Sequence, residues 1–296
     1  MLDLKPDRAH APPKDAATII LVRDAVGGGV ELFCVERSKQ SRFLGGAIVF
    51  PGGKLDASDA AEEWAPLATS PRAPTRECAE PFARDHAHLR ALAIAACRET
   101  LEEAAMLHVA GDSRSVTQEE LFALRSRLAA DPEALRAFLR EHGLRLDLQA
   151  LHPLARWVTP IAEARRYDAR FFVAIAPPGQ TGAHDEHETM ASFWATPTEI
   201  LRRWDAGEVQ VAPPTHRTIS LLASPRTTAD VLALAHASSL DPICPRLVPH
   251  RDPNGEDTLA LTLPGDPEHD VRATRVAGPS RYVLRGDRWL AEDAPR

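Results

Sequence analysis

The fold prediction starts from the stretch Arg98-Glu99-Thr100-Leu101-Glu102-Glu103, which carries three carboxylates within six residues. It lies inside residues 86–107, HAHLRALAIAACRETLEEAAML, where Gly and Pro are absent and apolar side chains recur at helical spacing. We therefore predict a helix over 86–107. On that helix Glu99, Glu102 and Glu103 stand at positions i, i+3 and i+4, so their side chains project from one face.

Three carboxylates on one helical face repel one another. Like charges at i and i+4 destabilise a helix by roughly 0.2–0.5 kcal/mol per pair, so nearby cations or a bound metal ion must relieve the repulsion. Oxygen ligands favour a hard ion, and Mg²⁺ in particular is held by a few carboxylates together with substrate phosphates. The alternative is a solvated acidic face, on which Arg98 pairs with Glu102 four residues further on.

The residues before this helix predict a small group of strands. Short apolar runs of strand length occupy residues 18–23, 30–37 and 47–50. Gly27-Gly28-Gly29 predicts a hairpin turn between the first two strands; the alternative, a phosphate-binding loop, lacks the Lys-Ser/Thr pair that it needs. Pro51-Gly52-Gly53 ends the third strand and permits a tight backbone bend.

The residues after the helix alternate between helical and extended patterns. Thr117 with Glu120 predicts a capping box, and Thr196 predicts an N-cap. The predicted helices cover 118–130, 132–141, 197–205, 215–224 and 229–239, and the predicted strands cover 155–160, 170–176, 191–195, 257–263 and 281–284. Mixed strands with few, separated helices favour an α+β fold or an α/β/α sandwich over a doubly wound sheet.

Composition narrows the class of protein. The chain is 44% apolar and 26% charged, as in globular proteins, and its formal net charge of −7 without a basic block argues against nucleic acid as a partner. The four cysteines lack CxxC spacing, which favours a reducing compartment over a zinc ribbon or a disulfide framework. Without an apolar leader or a long apolar run, we expect a soluble cytoplasmic protein with no membrane partner. The oligomeric state is left open.

The glycines and the carboxylate helix together resemble the signature of the Nudix hydrolase superfamily. That signature reads Gly, five residues, Glu, seven residues, then Arg-Glu-apolar-x-Glu-Glu-x-Gly-apolar. Gly53 fits the opening Gly, Asp59 takes the first acidic position, and Arg98 with the three glutamates matches the second half. The departures are that Arg98 lies 39 positions after Asp59 instead of eight, that Thr100 takes a usually apolar position, and that Ala105 replaces the usual Gly.

An insertion at this place resembles the branch of acyl-coenzyme A diphosphatases often called nudix 19-like, as does the segment from Glu36 to Asp56. The resemblance covers about residues 15–215 and implies a Nudix-type α/β/α sandwich with a mixed sheet and extra helices. We predict that the chain is organised around this domain as a polar lead-in over 1–14, insertions at about 60–86 and 114–150, a helical extension over 216–240 and a C-terminal appendage over 241–296. We expect the 60–86 insertion to be a loop near the substrate entrance, outside the catalytic layer.

The same resemblance implies a set of site residues. The expected ligands of Mg²⁺ or Mn²⁺ are Glu99, Glu102, Glu103 and a backbone carbonyl near Gly52 or Gly53. Arg98 would orient these carboxylates rather than touch substrate. Arg37 and Arg42, which precede the turn at Gly52-Gly53, are candidates for binding a nucleotide 3′-phosphate or a diphosphate. The alternative is that both are solvated loop arginines.

A further acid is expected in the run His184-Asp185-Glu186-His187-Glu188. Glu188 is favoured there, with Asp185 and Glu186 as alternates, and Glu99 and Glu188 share the proposed role of activating water. A zinc site of the HExxH type fails because Ala191 stands where the second His is required. The remaining alternative for this run is an acidic surface loop.

The resemblance implies metal-dependent hydrolysis of a nucleoside diphosphate linked to another moiety. The preferred substrate is coenzyme A or an acyl-coenzyme A, cut to 3′,5′-ADP and phosphopantetheine. One alternative is a Nudix hydrolase of ADP-sugars or dinucleotides. Another is a ligand-sensing domain that binds without cutting, although such a domain has no need for all three glutamates. Esterase, P-loop and dinucleotide-fold motifs are absent from the sequence.

Overall fold

The protein is described from a computed structural model over residues 11–37, 46–75, 78–183, 189–252 and 254–294. Within these ranges a main sheet contains β1 (Lys14–Asp24), β2 (Val30–Arg37), β3 (Ala47–Val49), β4 (Gly52–Lys54), β5 (His152–Val158), β6 (Tyr167–Ile175), β7 (Thr189–Ala195), β8 (Gln210–Val211) and β9 (Pro242–Ile243). A second sheet contains β10 (Arg246–Arg251), β11 (Asp257–Thr262), β12 (Arg281–Arg285) and β13 (Arg288–Glu292). The α-helices of the same ranges are α1 (His86–Ala104), α2 (Gln118–Leu128), α3 (Ala134–Glu141), α4 (Pro197–Asp205), α5 (Pro213–Leu221) and α6 (Thr228–Ala237).

The main sheet is mixed and is built around β1. Strand β1 pairs antiparallel with β2 and β4 and parallel with β6, and the strand order is β8-β3-β2-β1-β6-β5-β9. Strand β4 pairs with β1, and β7 pairs with β2. Helices and apolar side chains cover both faces of this sheet, so the predicted α+β class and α/β/α sandwich are confirmed.

Alternation along β1 separates the two apolar layers. Ala17, Ile19 and Leu21 belong to the core that α1 covers, whereas Ile20 and Val22 belong to the core on the opposite face. All five side chains are buried. A continuous apolar run with both faces buried is typical of a central strand, because helices cover each side of it.

The predicted strands near the N-terminus agree closely with the structure. Strand β2 has the predicted bounds, and β1 extends the predicted 18–23 at both ends. Gly28 and Gly29 have φ angles of 86° and 84°, and the Ala25 amide donates to the Gly29 carbonyl at 2.9 Å. The glycine triplet therefore forms the predicted turn, because glycine adopts positive φ without the steric penalty that a Cβ brings.

Helix α1 begins as predicted and ends three residues earlier than predicted. The Asp85 side chain accepts a 2.7 Å hydrogen bond from the His88 amide and caps the N-terminus. The helix ends at Ala104 because Ala105 adopts the left-handed conformation, with φ 49° and ψ 43°. Among the described residues, Ala105 is the one non-glycine residue with positive φ. It occupies the position where the signature has Gly, which explains that preference in physical terms.

The 60–86 insertion differs from its prediction as a loop near the substrate entrance. Its described part contains a 3₁₀ turn over Glu62–Trp64 and contributes Trp64, Leu67, Ala68 and Phe82 to the core that α1 covers. None of its described residues lines the cavity described below. The described part therefore lies outside the catalytic layer, as predicted. Its expected form as a loop at the substrate entrance was wrong, because scattered apolar residues without a period can still pack against α1 in the tertiary fold.

The helices after α1 cover both faces of the main sheet, with α2 and α3 in the core that α1 covers and α4 and α6 in the core on the opposite face. Thr117 and Glu120 form the predicted capping box, and Thr196 caps α4 as predicted. The C-terminal region begins within the main sheet, where β9 pairs parallel with β5, and continues as the antiparallel sheet β10-β11-β12-β13. Tyr282 of β12 is fully buried in the core on the face opposite α1. In the ranges that the structure describes, no helix is long and apolar enough to cross a membrane.

Candidate active site

Two glycines bring β4 against the carboxylate end of α1. Gly53 lies so close to Glu99 that a Cβ on it would overlap the Glu99 carboxylate, and a Cβ on Gly52 would lie 2.6 Å from the Ala17 carbonyl oxygen. The Gly52 amide donates a 3.0 Å hydrogen bond to Glu103 Oε2. The two halves of the split signature therefore meet in space. Glycine is required at both positions because the Glu99 carboxylate and the β1 backbone already occupy the space that a side chain would fill.

Arg98 connects the separated halves of the site. Its Nε and Nη2 donate to the two Asp59 carboxylate oxygens at 2.9 and 3.0 Å, in a bidentate arrangement. Its Nη1 donates to Glu99 at 2.7 Å and to Glu102 at 3.2 Å, while Nη2 also donates to the Lys54 carbonyl at 3.1 Å. The guanidinium therefore holds carboxylates from two segments in one arrangement, and all its donors are directed at protein atoms.

Thr100, a departure from the signature, is accommodated inside the helix. Its side chain is fully buried, and its hydroxyl donates to the Ala96 carbonyl at 2.6 Å. This bond to the carbonyl four residues earlier satisfies the polar group, so Thr can replace an apolar residue at this position without leaving a buried hydroxyl unpaired.

Burial and mutual repulsion shift the protonation of the acidic face. Burial, opposed by Arg98 and assisted by the neighbouring Glu102 charge, raises the pKa of Glu99 to about 7. Burial also raises the pKa of Glu102, again against the opposing effect of Arg98. One guanidinium therefore does not neutralise the whole acidic group, and a further cation would favour the ionised carboxylates.

The oxygen donors of this site are of the type that binds magnesium or manganese ions. Glu99, Glu102 and Glu103 offer carboxylate oxygens from one helical turn, beside the backbone of Gly52 and Gly53. Across the described residues, no three acidic, imidazole or thiol side chains already converge on one ion position. Mg²⁺ usually takes one or two protein carboxylates and completes its shell with water and substrate phosphates, so it does not require three converging side chains.

A cavity of about 1160 Å³ opens in front of the carboxylates. Its acidic wall carries Arg98, Glu99, Glu102 and Glu103, and its sheet wall carries aromatic and small residues from β1, β5 and β6. The residues of that sheet wall are Ala16, Thr18, Trp157, Tyr167, Ala169 and Phe171. The remaining wall comes from the start of α5 and from the C-terminal region, including Pro213, Pro245 and Leu261. The volume accommodates a nucleotide-sized ligand with one highly charged end.

The structure places some predicted site residues and leaves others outside its description. Arg98, Gly53 and the three glutamates lie together, and Arg37, at the end of β2, lines the same cavity. Arg42 and Glu188, with its alternates Asp185 and Glu186, lie outside the described residues.

The cavity also contains residues that sequence reasoning missed. Trp157 and Phe171 look like ordinary apolar strand residues in the sequence, and Arg165 lies in a connecting segment without a motif. Helix α2 contributes Arg125 and Ser126, so the predicted 114–150 insertion reaches the cavity. Only the capping box of α2 was visible in the sequence, and a cap gives no information about what the helix faces.

The fold and this site together define a Nudix hydrolase. A mixed α/β/α sandwich brings a Gly-Gly strand and an Arg-Glu-x-x-Glu-Glu helix to one cavity, as the signature requires. The family described as the NUDT19 Nudix domain matches residues 13–222, and the chain belongs to that family.

Similar proteins support the assignment to this class of enzyme. The chain is 29% identical over 301 residues to acyl-coenzyme A diphosphatase NUDT19 of Gallus gallus, covering 86% of this chain and 79% of that protein. It is 25% identical to the Xenopus laevis protein of the same name, covering 80% and 70%. The crystal structure of a NUDIX hydrolase from Alicyclobacillus acidocaldarius is similar with a TM-score of 0.61 and 30% identity, covering 76% of this chain and 97% of that structure.

Proposed function

We propose that this protein hydrolyses the diphosphate of coenzyme A or an acyl-coenzyme A, giving 3′,5′-ADP and phosphopantetheine or its acyl derivative. The observation that carries the proposal is the joining of Gly53, Arg98 and the three glutamates at one end of a nucleotide-sized cavity. The names of the related acyl-coenzyme A diphosphatases supply the substrate class. A cytoplasmic location belongs to the same proposal.

The proposed chemistry assigns a separate task to each group of residues. Glu99, Glu102 and Glu103 would hold Mg²⁺ or Mn²⁺, with the backbone near Gly53 as a further ligand. The metal, when bound, supplies positive charge that offsets the negative diphosphate. Arg98 orients the carboxylates, because Asp59, Glu99 and Glu102 already engage its donors.

Two carboxylates are proposed to accept the proton of the attacking water, Glu99 and Glu188. Glu99 lies beside the glycine strand, where the diphosphate must approach. Arg37, which lines the cavity, is proposed to bind phosphate, and Arg42 keeps the same proposed role. General-base catalysis of this kind typically contributes about 10²–10⁴-fold to a rate.

A substrate screen tests the proposal. Purified protein is incubated with coenzyme A, acetyl-coenzyme A, ADP-ribose and NADH in the presence of Mg²⁺, Mn²⁺ or EDTA, and products are identified by mass spectrometry. We expect 3′,5′-ADP from the coenzyme A compounds and no turnover in EDTA. Preferential cleavage of ADP-ribose or NADH would move the assignment to another Nudix substrate class. Binding of coenzyme A without cleavage under every condition would favour a sensing domain.

A further inference from the structure

The cavity has a second charged position besides its acidic wall. Arg165 lines it from the loop that joins β5 to β6, together with Val158, Thr159 and Pro160. This loop leads into β6, which lies on the other side of β1 from β4. The same cavity therefore contains an acidic wall, an apolar sheet wall and a separate arginine.

The strand register gives the separation between β4 and the start of β6. Strands β4 and β6 both flank β1, with Gly53 level with Ala17 and Tyr167 level with Lys14. Two strand spacings and three residues along a strand place the Cα atoms of Gly53 and Tyr167 about 14 Å apart. Arg165 comes two residues before Tyr167, so its backbone lies across β1 from β4 rather than beside the glycine strand.

Arg165 differs from the other cations of the cavity in its partners. Arg98 is engaged by Asp59 and Glu99, and Lys54 pairs with Asp56 at 2.7 Å. Among the residues that the structure describes, the exposed Arg165 side chain has no ion pair or hydrogen bond. Its guanidinium donors are therefore available to a ligand, and a guanidinium fork matches the oxygens of a phosphate.

The loop that carries Arg165 is held in place by its own hydrogen bonds. The Thr159 amide donates to the Tyr167 carbonyl at 2.9 Å, and the Tyr167 amide donates to Thr159 Oγ1 at 3.0 Å. The neighbouring Arg166 donates to the carbonyls of Thr159 and Ala11 at 3.2 and 2.8 Å. A cation on such a tied loop loses little conformational freedom of the backbone when a ligand binds.

We propose that Arg165 is a phosphate subsite that binds the 3′-phosphate of the nucleotide while the diphosphate lies at the carboxylates. This inference rests on the proposed function. Coenzyme A carries its 3′-phosphate and its diphosphate on the same ribose, so the two charges enter the cavity together. Arg165 lines the same cavity as the carboxylates, and an anion at Arg165 avoids the repulsion that the glutamates would exert.

Kinetic discrimination tests the assignment. The measurement is kcat/KM for coenzyme A and for 3′-dephospho-coenzyme A in the wild type, Arg165→Ala, Arg165→Lys and Arg140→Ala. Arg140 is an exposed residue of α3 outside the cavity lining, so Arg140→Ala removes the same charge elsewhere. We expect the wild type and Arg140→Ala to prefer coenzyme A by about tenfold to a hundredfold, and Arg165→Ala to lose that preference. Arg165→Lys should retain part of it, because the charge remains without the fork.

The subsite predicts a change in the ratio of kcat/KM between the two compounds, which a general loss of activity would leave unchanged. Arg37→Ala, at the position proposed to bind phosphate near the glycine turn, should lower kcat/KM for both compounds by similar factors if Arg37 binds the diphosphate. Equal wild-type values for the two compounds, or an unchanged preference in Arg165→Ala, would overturn the subsite.

A binding experiment separates failure of the subsite from failure of the proposed function. Calorimetry on the metal-free protein compares 3′,5′-ADP with 5′-AMP, which lacks the 3′-phosphate, in the wild type and in Arg165→Ala. We expect tighter wild-type binding of 3′,5′-ADP by about tenfold or more, and equal binding of the two nucleotides in the variant. Retained discrimination in a protein that cleaves no coenzyme A would refute the proposed function and keep the subsite. Equal wild-type affinities would refute the subsite whatever the enzyme cleaves.

Discussion

Asp59 and Arg98, 39 residues apart in the chain, form a bidentate ion pair at 2.9 and 3.0 Å. Asp59 is 1% exposed, and its Oδ2 also accepts a 2.9 Å hydrogen bond from the Asp56 amide. The pair ties the segment after β4 to the carboxylate helix, on the two sides of the insertion. In the uninterrupted signature a short stretch of chain fixes the distance between the first acid and the arginine. In this protein the ion pair fixes that distance.

Asp59→Asn should destabilise the protein strongly. The change leaves the Arg98 guanidinium with less compensating charge in a largely buried site, and breaking a buried pair in this way costs about 3 kcal/mol. Urea unfolding followed by circular dichroism measures the loss. Asp56→Asn is the matched control, because Asp56 lies 3.7 Å from Arg98 with a 41% exposed side chain, and should cost less than about 1 kcal/mol. Equal effects of the two variants would contradict the structural role given to Asp59.

Gly53→Ala should impair catalysis more than folding. The added methyl group overlaps the Glu99 carboxylate, so Glu99 must move away from β4. A displacement of about 1 Å at a reacting group can lower kcat/KM by about a hundredfold. Gly27→Ala is the control, because a Cβ there meets nothing within 4 Å and Gly27 lies in the β1–β2 turn. Activity of Gly53→Ala within a factor of about two of the control would show that the close approach has no catalytic importance.

Glu102→Gln and Glu103→Gln should each lower kcat by at least about a hundredfold while the fold persists, if these carboxylates hold the metal. Stability in metal-free buffer should hold or rise, because each variant removes one charge from a repulsive group. The side-chain amide oxygen introduced by Glu103→Gln can still accept the hydrogen bond that the Gly52 amide donates to Glu103. Steady-state kinetics and thermal unfolding give the two readouts, with the exposed Glu119→Gln on α2 as control. Full activity in either site variant would remove that residue from the metal set.

Stability should fall in mildly acidic solution because His216 is buried in its neutral form. Burial, assisted by the nearby Arg217 charge, lowers the pKa of His216 from 6.5 to about 4. The resulting stabilisation is fully present above pH 6.5, decreases as the pH falls toward 4, and is absent below that value. The depression corresponds to a loss of about 3 kcal/mol between about pH 7 and pH 4. Urea unfolding at a series of pH values measures this dependence.

The His216 contribution is separated from other titrating groups with His216→Gln. His216 Nδ1 lies 2.9 Å from the Tyr282 hydroxyl, which itself donates to the Pro213 carbonyl at 3.2 Å. The variant loses stability at neutral pH, but its decrease on acidification should be smaller than that of the wild type. A parallel decrease in both proteins would show that His216 does not titrate in this range.

Local sequence patterns predicted most elements of the fold. The capped starts of α2 and α4, the bounds of β2 and the turn at Gly28 and Gly29 follow from interactions among neighbouring residues, so they are visible without the rest of the chain. The sequence did not predict the end of α1, because Ala105 adopts the left-handed conformation, which its Cβ disfavours. A glycine at this position would have indicated the end of the helix. The packing of Trp64 and Phe82 was also missed, because their partners are distant in sequence.

The sequence by itself determined the chemistry of the acidic face, because helical periodicity fixes the relative direction of Glu99, Glu102 and Glu103 within one turn. It also determined the class, through the spacing of Arg98 and the position of Gly53. Only the tertiary structure decided that Asp59 reaches Arg98 across the insertion and that α2 and Arg165 line the cavity. These relationships depend on which strands pair and how the sheet packs, and such long-range contacts carry no local periodic signal.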